Sequence, residues 1–351
     1  MVSRVFTKLF KTGLLVILLG AMVACASPII ISQGNPTTID TQPEAVLPTD
    51  ASGVSTDTPE ATLLPSETVT ITVASSPTSQ VDSSETPTGV ANTPVPTITP
   101  RPSPGPDTWR VLPVIPEISA RTIQIYKQGL ELGNDPSHFS KVGDCQNVSS
   151  YFLSPFEYPS AYNLGQYTNL QDTIQWYKGS FSRESLAVKG GFNVAAVLSP
   201  LRADPQKCDQ GESPVQCELR IWNPSVAIVS METWWSGNPE NYEKYMRQLL
   251  DYLISEGVVP ILATKADNLE GNNQINKALA KLAWDYDIPL WNFWASVQDI
   301  PNHGLTEDGF HLTLGNYFYN DPVKTRTGWS MRNLTALQAL DAFRRAMKAQ
   351  P

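Results

Sequence analysis

The chain has 351 residues, a length that by itself suggests two domains. Its 25 Lys and Arg stand against 34 Asp and Glu, a formal net charge of −9, which excludes the basic footprint of a nucleic-acid-binding protein. Three His and four Cys show no ligand spacing, so neither a metal nor a cofactor is expected.

Residues 1–25 read as a secretory signal. Arg4, Lys8 and Lys11 precede an apolar run from Leu14 to Val23, shorter than the roughly 20 apolar residues of a bilayer span. The run ends in "MVAC", which resembles the lipobox of bacterial lipoproteins, in which the cysteine, here Cys25, receives the lipid. An uncleaved anchor helix is the alternative, disfavoured by the brevity of the run. Acyl chains, at roughly 0.8 kcal/mol per buried methylene, would tether the protein to a membrane. The expected location is extracytoplasmic and membrane-anchored.

From Ala26 to Asp107 the composition shifts to Pro, Thr, Ser and Val, with repeated T-P, S-P and P-T pairs and no lasting period of 3.6 or 2. Such a segment cannot bury enough apolar surface to offset its ordering entropy, so a disordered stalk is expected. As a flexible coil it would span about 50 Å root-mean-square, and more with its prolines. It also carries most of the acidity. Nine carboxylates against Arg101 alone give −8, the signal gives +3, and −4 remains for residues 108–351.

Residues 108–351 suffice for one domain with a sizeable core. Ile118, Ile123, Tyr126 and Leu130 fall near helical spacing, with Gly133 as a stop. "HFSKVGD" follows as a short strand, and "SVAIVSM" as a strand buried on both faces. Asn238 and Pro239 then open a helix carrying Tyr242, Tyr245, Met246, Leu249, Leu250 and Leu253, which ends at Gly257. "VVPILATKA" predicts a strand, Ile275, Leu279, Leu282 and Tyr286 a helix, "IPLWNFWA" a further strand, and Leu334, Leu337, Leu340 and Phe343 a final helix. Strands alternating with helices imply a single three-layer α/β/α domain around a central parallel sheet, whose working loops lie at the carboxyl ends of the strands.

Two short blocks carry the chemistry. "VGDC" ends the first strand, and "EDGFHLT", residues 307–313, lies near the C-terminus. In order, spacing and context they resemble the first and last blocks of the SGNH (GDSL) hydrolases, and the likeness extends over most of residues 120–345. The resemblance implies a flavodoxin-like fold and ester hydrolysis. It implies a nucleophile at Cys145, where the family has serine, a base at His311 and an orienting acid at Asp308. It also implies a central oxyanion glycine at Gly190 or Gly191 of "KGGFN", and a Gly-x-Asn block after "AIVSM". There this chain departs from the pattern: Glu232 stands at the glycine and Trp234 at the asparagine. Asn238 is the nearby asparagine, though it is also a natural N-cap.

Physical chemistry supports the triad independently. A nucleophile at a strand-to-helix turn sits near helix N–H groups that favour an anion. A thiol there is acidified, and a neighbouring His acidifies it further. Asp three residues before His lets the carboxylate orient the imidazole from one turn. Each residue also has a structural reading. Cys145 is a nucleophile, half of a disulfide, or the remnant of a lost site. His303 in "PNHGL" competes with His311, and His138 reads as a surface residue. Trp222, Trp291 and Trp294 read as core, whereas Trp234 and Trp235 either join the core or form a stacking wall for a sugar. Lys265, Asp267 and Asn268 either reach the cleft or build a turn.

Cys208 and Cys217 bracket the polar stretch "DQGESPVQ". In an oxidising compartment they are expected to form a disulfide that leaves Cys145 out, the competing outcome being a bridge from Cys145 to either of them. The sequence thus points to a cell-surface hydrolase of acyl esters, with O-acylated polysaccharide or acylated small molecules as substrates. The alternatives are a catalytically inactive glycan-binding lipoprotein built on the same cleft and a structural surface module.

Overall fold

The structure is a computed structural model that describes residue 105, residues 107–233 and residues 238–350. Cys25 and the stalk expected over residues 26–107, apart from residues 105 and 107, therefore lie outside the described residues, as do Trp234 and Trp235. Four strands, β1 (Asp135–Gly143), β2 (Pro224–Ser230), β3 (Val259–Ala263) and β4 (Leu290–Trp291), form a parallel sheet in the order β1-β2-β3-β4. Every residue of β2 and β3 is buried, as a strand covered on both faces must be.

The helices are α1 (Ala120–Leu132), α2 (Gln171–Trp176), α3 (Val194–Val197), α4 (Pro214–Trp222), α5 (Pro239–Ser255), α6 (Gln274–Tyr286), α7 (Phe293–Val297) and α8 (Gly328–Lys348). Helix α5 packs against both α3 and α6, while α1 and α8 pack together, which makes the three layers. Strand order never reverses from β1 to β4, so crossovers of the usual hand put their helices on one face. The other face is left for α1 before the sheet and α8 after it.

Local chemistry sets the boundaries. Ser119 caps α1 by accepting from the Thr122 N–H at 3.1 Å, and Gly133 closes it at φ 93°, a conformation that suits a residue without Cβ. Ser213 and Gln216 form a reciprocal capping box on α4. Asn238 caps α5, its side-chain oxygen accepting from the Glu240 N–H at 2.7 Å.

The strand expected over "IPLWNFWA" is a correction. Only Leu290 and Trp291 pair with β3, and the chain then turns into α7. Asn292 is the cause. Its Oδ1 accepts from the Ala295 N–H at 3.3 Å, and its Nδ2 donates to the Trp109 and Leu112 carbonyls at 2.8 and 3.1 Å. One buried amide thus starts a helix and pins the N-terminal arm of the domain, which periodicity cannot register.

The crossover between β1 and β2 runs through residues 144–223, and part of it returns to the sheet. Val188 forms a parallel bridge with Gly143, whose N–H donates to the Ala187 carbonyl at 3.0 Å. At its carboxyl end β1 therefore has neighbours on both sides, Val188 on one and β2 on the other. Chain order reverses direction there. Such a switch point leaves a crevice beyond the strand ends, where ligands bind in open α/β sheets. Among the described residues no helix is long and apolar enough to cross a membrane.

Candidate active site

Gly143 is the last residue of β1, and no side chain fits in its place. A Cβ would lie 1.9 Å from the Ser230 carbonyl oxygen and 2.1 Å from the Asn147 amide nitrogen. That tightness exists because Asn147 Nδ2 crosses to donate to the Ser230 carbonyl at 2.5 Å, tying the turn after β1 to the end of β2. Asp144 then caps a short 3-10 turn, Cys145–Asn147. Its Oδ1 accepts from the Gln146 N–H at 3.0 Å and its Oδ2 from the Thr233 N–H at 2.9 Å, so one buried carboxylate joins two loops. Burial pushes the Asp144 carboxyl up, against those hydrogen bonds and the positive charge of Arg332. Cys145 opens this turn, half-buried.

Across the crevice, residues 306–313 form a tight hand. Leu305 and Leu312 pair in an antiparallel bridge, and the Thr306 N–H donates to the His311 carbonyl at 2.8 Å. Asp308 Oδ1 accepts from the Thr306 hydroxyl at 2.7 Å and from the Phe310 and His311 N–H groups at 3.0 Å each. Its Oδ2 lies 2.5 Å from His311 Nδ1. Burial pushes the Asp308 carboxyl up, but the bond to His311 and those other donors together outweigh it and hold the carboxyl well below the usual carboxylate range. With Nδ1 on Asp308, proton exchange falls to Nε2. The hand is fixed to α8, because the Trp329 N–H donates to the Thr313 carbonyl at 3.1 Å and the Gly328 N–H to the Thr313 hydroxyl at 2.8 Å.

A hydrogen bond joins the two halves. Gln146, next to Cys145, donates from Nε2 to the carbonyl of Phe310, next to His311, at 3.3 Å. Residues 164 positions apart in the chain meet there. The block of Gly190 and Gly191 follows the Val188 bridge, with the Lys189 N–H donating to the Gly143 carbonyl at 3.2 Å, and both glycines are exposed.

No protein-family model matches the chain, and no curated protein matches it. Among solved structures it is similar to the psychrotrophic esterase EstA from Pseudoalteromonas sp., determined with monoethylphosphonate as inhibitor. The identity is 10%, the TM-score is 0.38, and the match covers 60% of this chain and 99% of that one. It is also similar to the acetyl xylan esterase AlAXEase, at 13% identity and a TM-score of 0.32, over 61% of this chain and 100% of that one.

Other sequence expectations fare differently. Asn238, considered for the oxyanion site, is exposed and engaged as the cap of α5. His303 is bonded through Nδ1 to the Gln298 carbonyl at 3.1 Å, with no bond to Asp308. His138 is only half-exposed: its Nδ1 lies 2.8 Å from the Trp222 carbonyl and its ring stacks on that indole, centroids 4.0 Å apart, while Arg183 lies over the same indole at 4.3 Å. Lys265 and Asp267 are buried: the Lys265 ammonium pairs with Asp267 and Glu270 at 2.6 Å each. Asn268 builds a turn, accepting from the Asn273 N–H at 2.7 Å. Cys208 and Cys217 are joined in a disulfide, with Cys217 buried in α4, and Cys145 stands outside it. Cys208, Glu212 and Cys217 form a group of metal-type donors, but both sulfurs are in the disulfide and Arg220 donates to both Glu212 oxygens, at 2.5 and 2.8 Å.

Three residues escape sequence reasoning. Gln146 is one. Arg332 of α8 is another, fully buried behind the Cys145 turn. Glu232 was visible only as a departure from a motif. It is buried, adopts φ +70°, and accepts from the Val194 N–H at 2.8 Å, so it binds the loop after β2 to the helix after Gly191. Burial pushes its carboxyl up to about 7, with the bond from Val194 opposing. The left-handed backbone was the available signal: a non-glycine residue adopts it here where the motif calls for glycine.

Proposed function

We propose that this protein is an SGNH-like hydrolase that cleaves carboxylic esters through Cys145, His311 and Asp308. The observation that carries the reading is the Gln146–Phe310 hydrogen bond, since it ties the residue after Cys145 to the residue before His311. The left-handed Glu232 adds support, because it keeps glycine-like backbone at the glycine of the third block.

The chemistry then follows in balanced steps. His311 Nε2 takes the Cys145 thiol proton, and the thiolate adds to the ester carbonyl. The tetrahedral intermediate collapses to a thioester, and the departing alkoxide receives the proton from His311. Water then adds to the thioester with His311 as base, and the acid leaves as the thiol is restored. Asp308 holds the imidazole orientation and steadies its charged form throughout. Backbone N–H groups of the Cys145 turn and of Gly190 or Gly191 serve the oxyanion. An oxyanion donor is worth about 3–4 kcal/mol, so a third block with Trp234 in place of asparagine makes a slow enzyme that favours good leaving groups. Lipid on Cys25 and the stalk would present this domain outside the membrane, to O-acylated polysaccharide or acylated small molecules.

A second reading, an inactive domain that binds glycan in the same crevice, draws support from the buried carboxyl of Glu232 at the third block. Hydrolysis of p-nitrophenyl acetate and of an acyl thioester by the full chain, set against Cys145→Ala, decides between them. Turnover lost in Cys145→Ala supports the hydrolase, and Cys145→Ser with Trp234→Asn should raise ester turnover. Equal rates in the wild type and Cys145→Ala, with no gain from the double substitution, remove the hydrolase and leave glycan binding.

A further inference from the structure

The buried cations of this domain fall into two groups. Arg344 and Asp341 form an ion pair at 3.2 Å, and Lys265 has Asp267 and Glu270. Lys141 is buried with no ion pair among the described residues, and burial pulls it down to about 7, so it can give up its charge near neutral pH. Arg332 is also fully buried and without an ion pair among the described residues, but a guanidinium cannot take that escape. Burial pulls it only to about 10, which leaves it cationic wherever a thiol of ordinary or lowered pKa ionises.

Its surroundings are aimed at one turn. Arg332 Nε donates to the Gln146 carbonyl at 3.2 Å, and Nη2 donates to the Ser230 hydroxyl at 2.9 Å and the Asn147 side-chain oxygen at 3.4 Å. Phe152, Trp291 and Phe293 present their rings to it, with the guanidinium carbon 4.6, 5.2 and 5.2 Å from their centroids. Nη1 is buried with no hydrogen-bond partner. The ionisable groups that act on its charge are Asp144 and Cys145, one on each side of the same peptide bond.

We propose that Arg332 is the fixed counter-charge of the Cys145 thiolate: a positioning residue that holds the turn through Gln146 and Asn147 and keeps the sulfur ionised. The inference rests on the reading of Cys145 as the nucleophile position. Other charges also bear on the sulfur: Asp144 from the end of β1, Glu232 beyond it on the loop after β2, and His311 with Asp308 from the facing hand. Asp144 and Glu232 oppose ionisation when charged, and burial pushes both towards the neutral acid. Arg332 is the cation of these that stays charged wherever the thiol titrates.

The test is the pH dependence of Cys145 alkylation by iodoacetamide in the full chain, read by mass spectrometry site by site. An ordinary thiol has its midpoint near ~8.5, and the wild type should lie at least about one unit lower. Arg332→Met should move the midpoint up by about one unit or more, slowing alkylation at pH ~6 roughly tenfold, and Arg332→Lys should largely restore it. If Arg332→Met does not fold, Arg332→Gln keeps a donor for the turn without the charge and reads the same midpoint. A wild-type midpoint at or above that of an ordinary thiol overturns the proposal. So does an uncharged variant with the wild-type midpoint, or a lysine variant displaced as far as methionine. His311→Ala separates the two readings. A midpoint that follows His311 but not Arg332 keeps the hydrolase and removes the counter-charge. A midpoint that follows Arg332 in a protein that turns over neither ester nor thioester keeps the counter-charge and removes the hydrolase.

Discussion

The Cys145 turn and the Asp308–His311 hand are built in opposite ways. The turn is short and buried, and it is held almost entirely from outside: by Ser230 of β2, by Thr233 beyond it and by Arg332 of α8. The hand is half-exposed and holds itself, with Asp308 accepting four hydrogen bonds from residues 306–311. The shape of the first comes from the fold and that of the second from the local sequence, with α8 anchoring the hand only at Thr313 among the described residues. A thiol needs a chosen electrostatic environment, which only burial provides. A base that must give and take protons from substrate and water needs access, and local hydrogen bonds suffice to aim it.

Four experiments break or sharpen that contrast. Asp308→Asn should separate chemistry from stability most widely. Loss of the aspartate–imidazole bond should lower ester turnover about 10³-fold, some 4 kcal/mol of barrier, while urea unfolding changes by no more than about 1 kcal/mol. If stability falls as far as the barrier rises, the hand is not self-contained. Gly143→Ala should do the reverse. Its methyl would collide with the Ser230 carbonyl and the Asn147 amide, and the clash should cost about 3 kcal/mol or more in the same unfolding assay. A variant as stable as the wild type would show that the turn does not depend on that close approach.

Glu232→Gln probes the polar region behind the turn through pH. The carboxyl ionises near its ordinary 4.5 in the unfolded chain but only at about 7 in the fold. Its folded value is raised, so its contribution to stability is intact below 4.5 and is lost as pH rises through 7. Glutamine keeps an acceptor for Val194 and has no charge to bury. Its advantage over the wild type should be absent at pH ~4.5 and grow to on the order of 2–3 kcal/mol above pH ~7. Lys141, depressed to about 7, acts above that interval, and Asp267, raised to about 6, is common to both proteins and cancels in the difference. Parallel stability curves across pH would show that Glu232 is not charged at a cost to the fold. The smallest effect belongs to His303→Ala. Among the described residues this exposed ring is bonded only to the Gln298 carbonyl, so stability should stay within about 0.5 kcal/mol and turnover should not change. A loss of turnover would make His303 the base and the hand a bystander.

The division between the two regions is also the division between what the sequence by itself determined and what tertiary structure decided. Alternation of buried runs with amphipathic spacing determined the α/β sandwich, because burial on both faces of β2 and β3 leaves a continuous apolar run and burial on one face of α5 and α6 leaves a 3.6-residue period. Caps such as Asn238, and the pairing of Asp308 with His311, were legible because their partners lie two to three residues away. Asn292 shows the limit. The run around it reads as a strand, but its amide bonds reach Trp109 and Leu112, and the chain turns into a helix instead. Gln146, Glu232 and Arg332 carry no motif of their own, for their meaning lies in partners far along the chain: Phe310 for Gln146, Val194 for Glu232, and the Cys145 turn for Arg332. A cation acquires its effect on a thiol only when both are withdrawn from water into one low-dielectric site, and that withdrawal is made where Arg332 of α8 meets the Cys145 turn and Ser230 at the end of β2, not by any stretch of residues read alone.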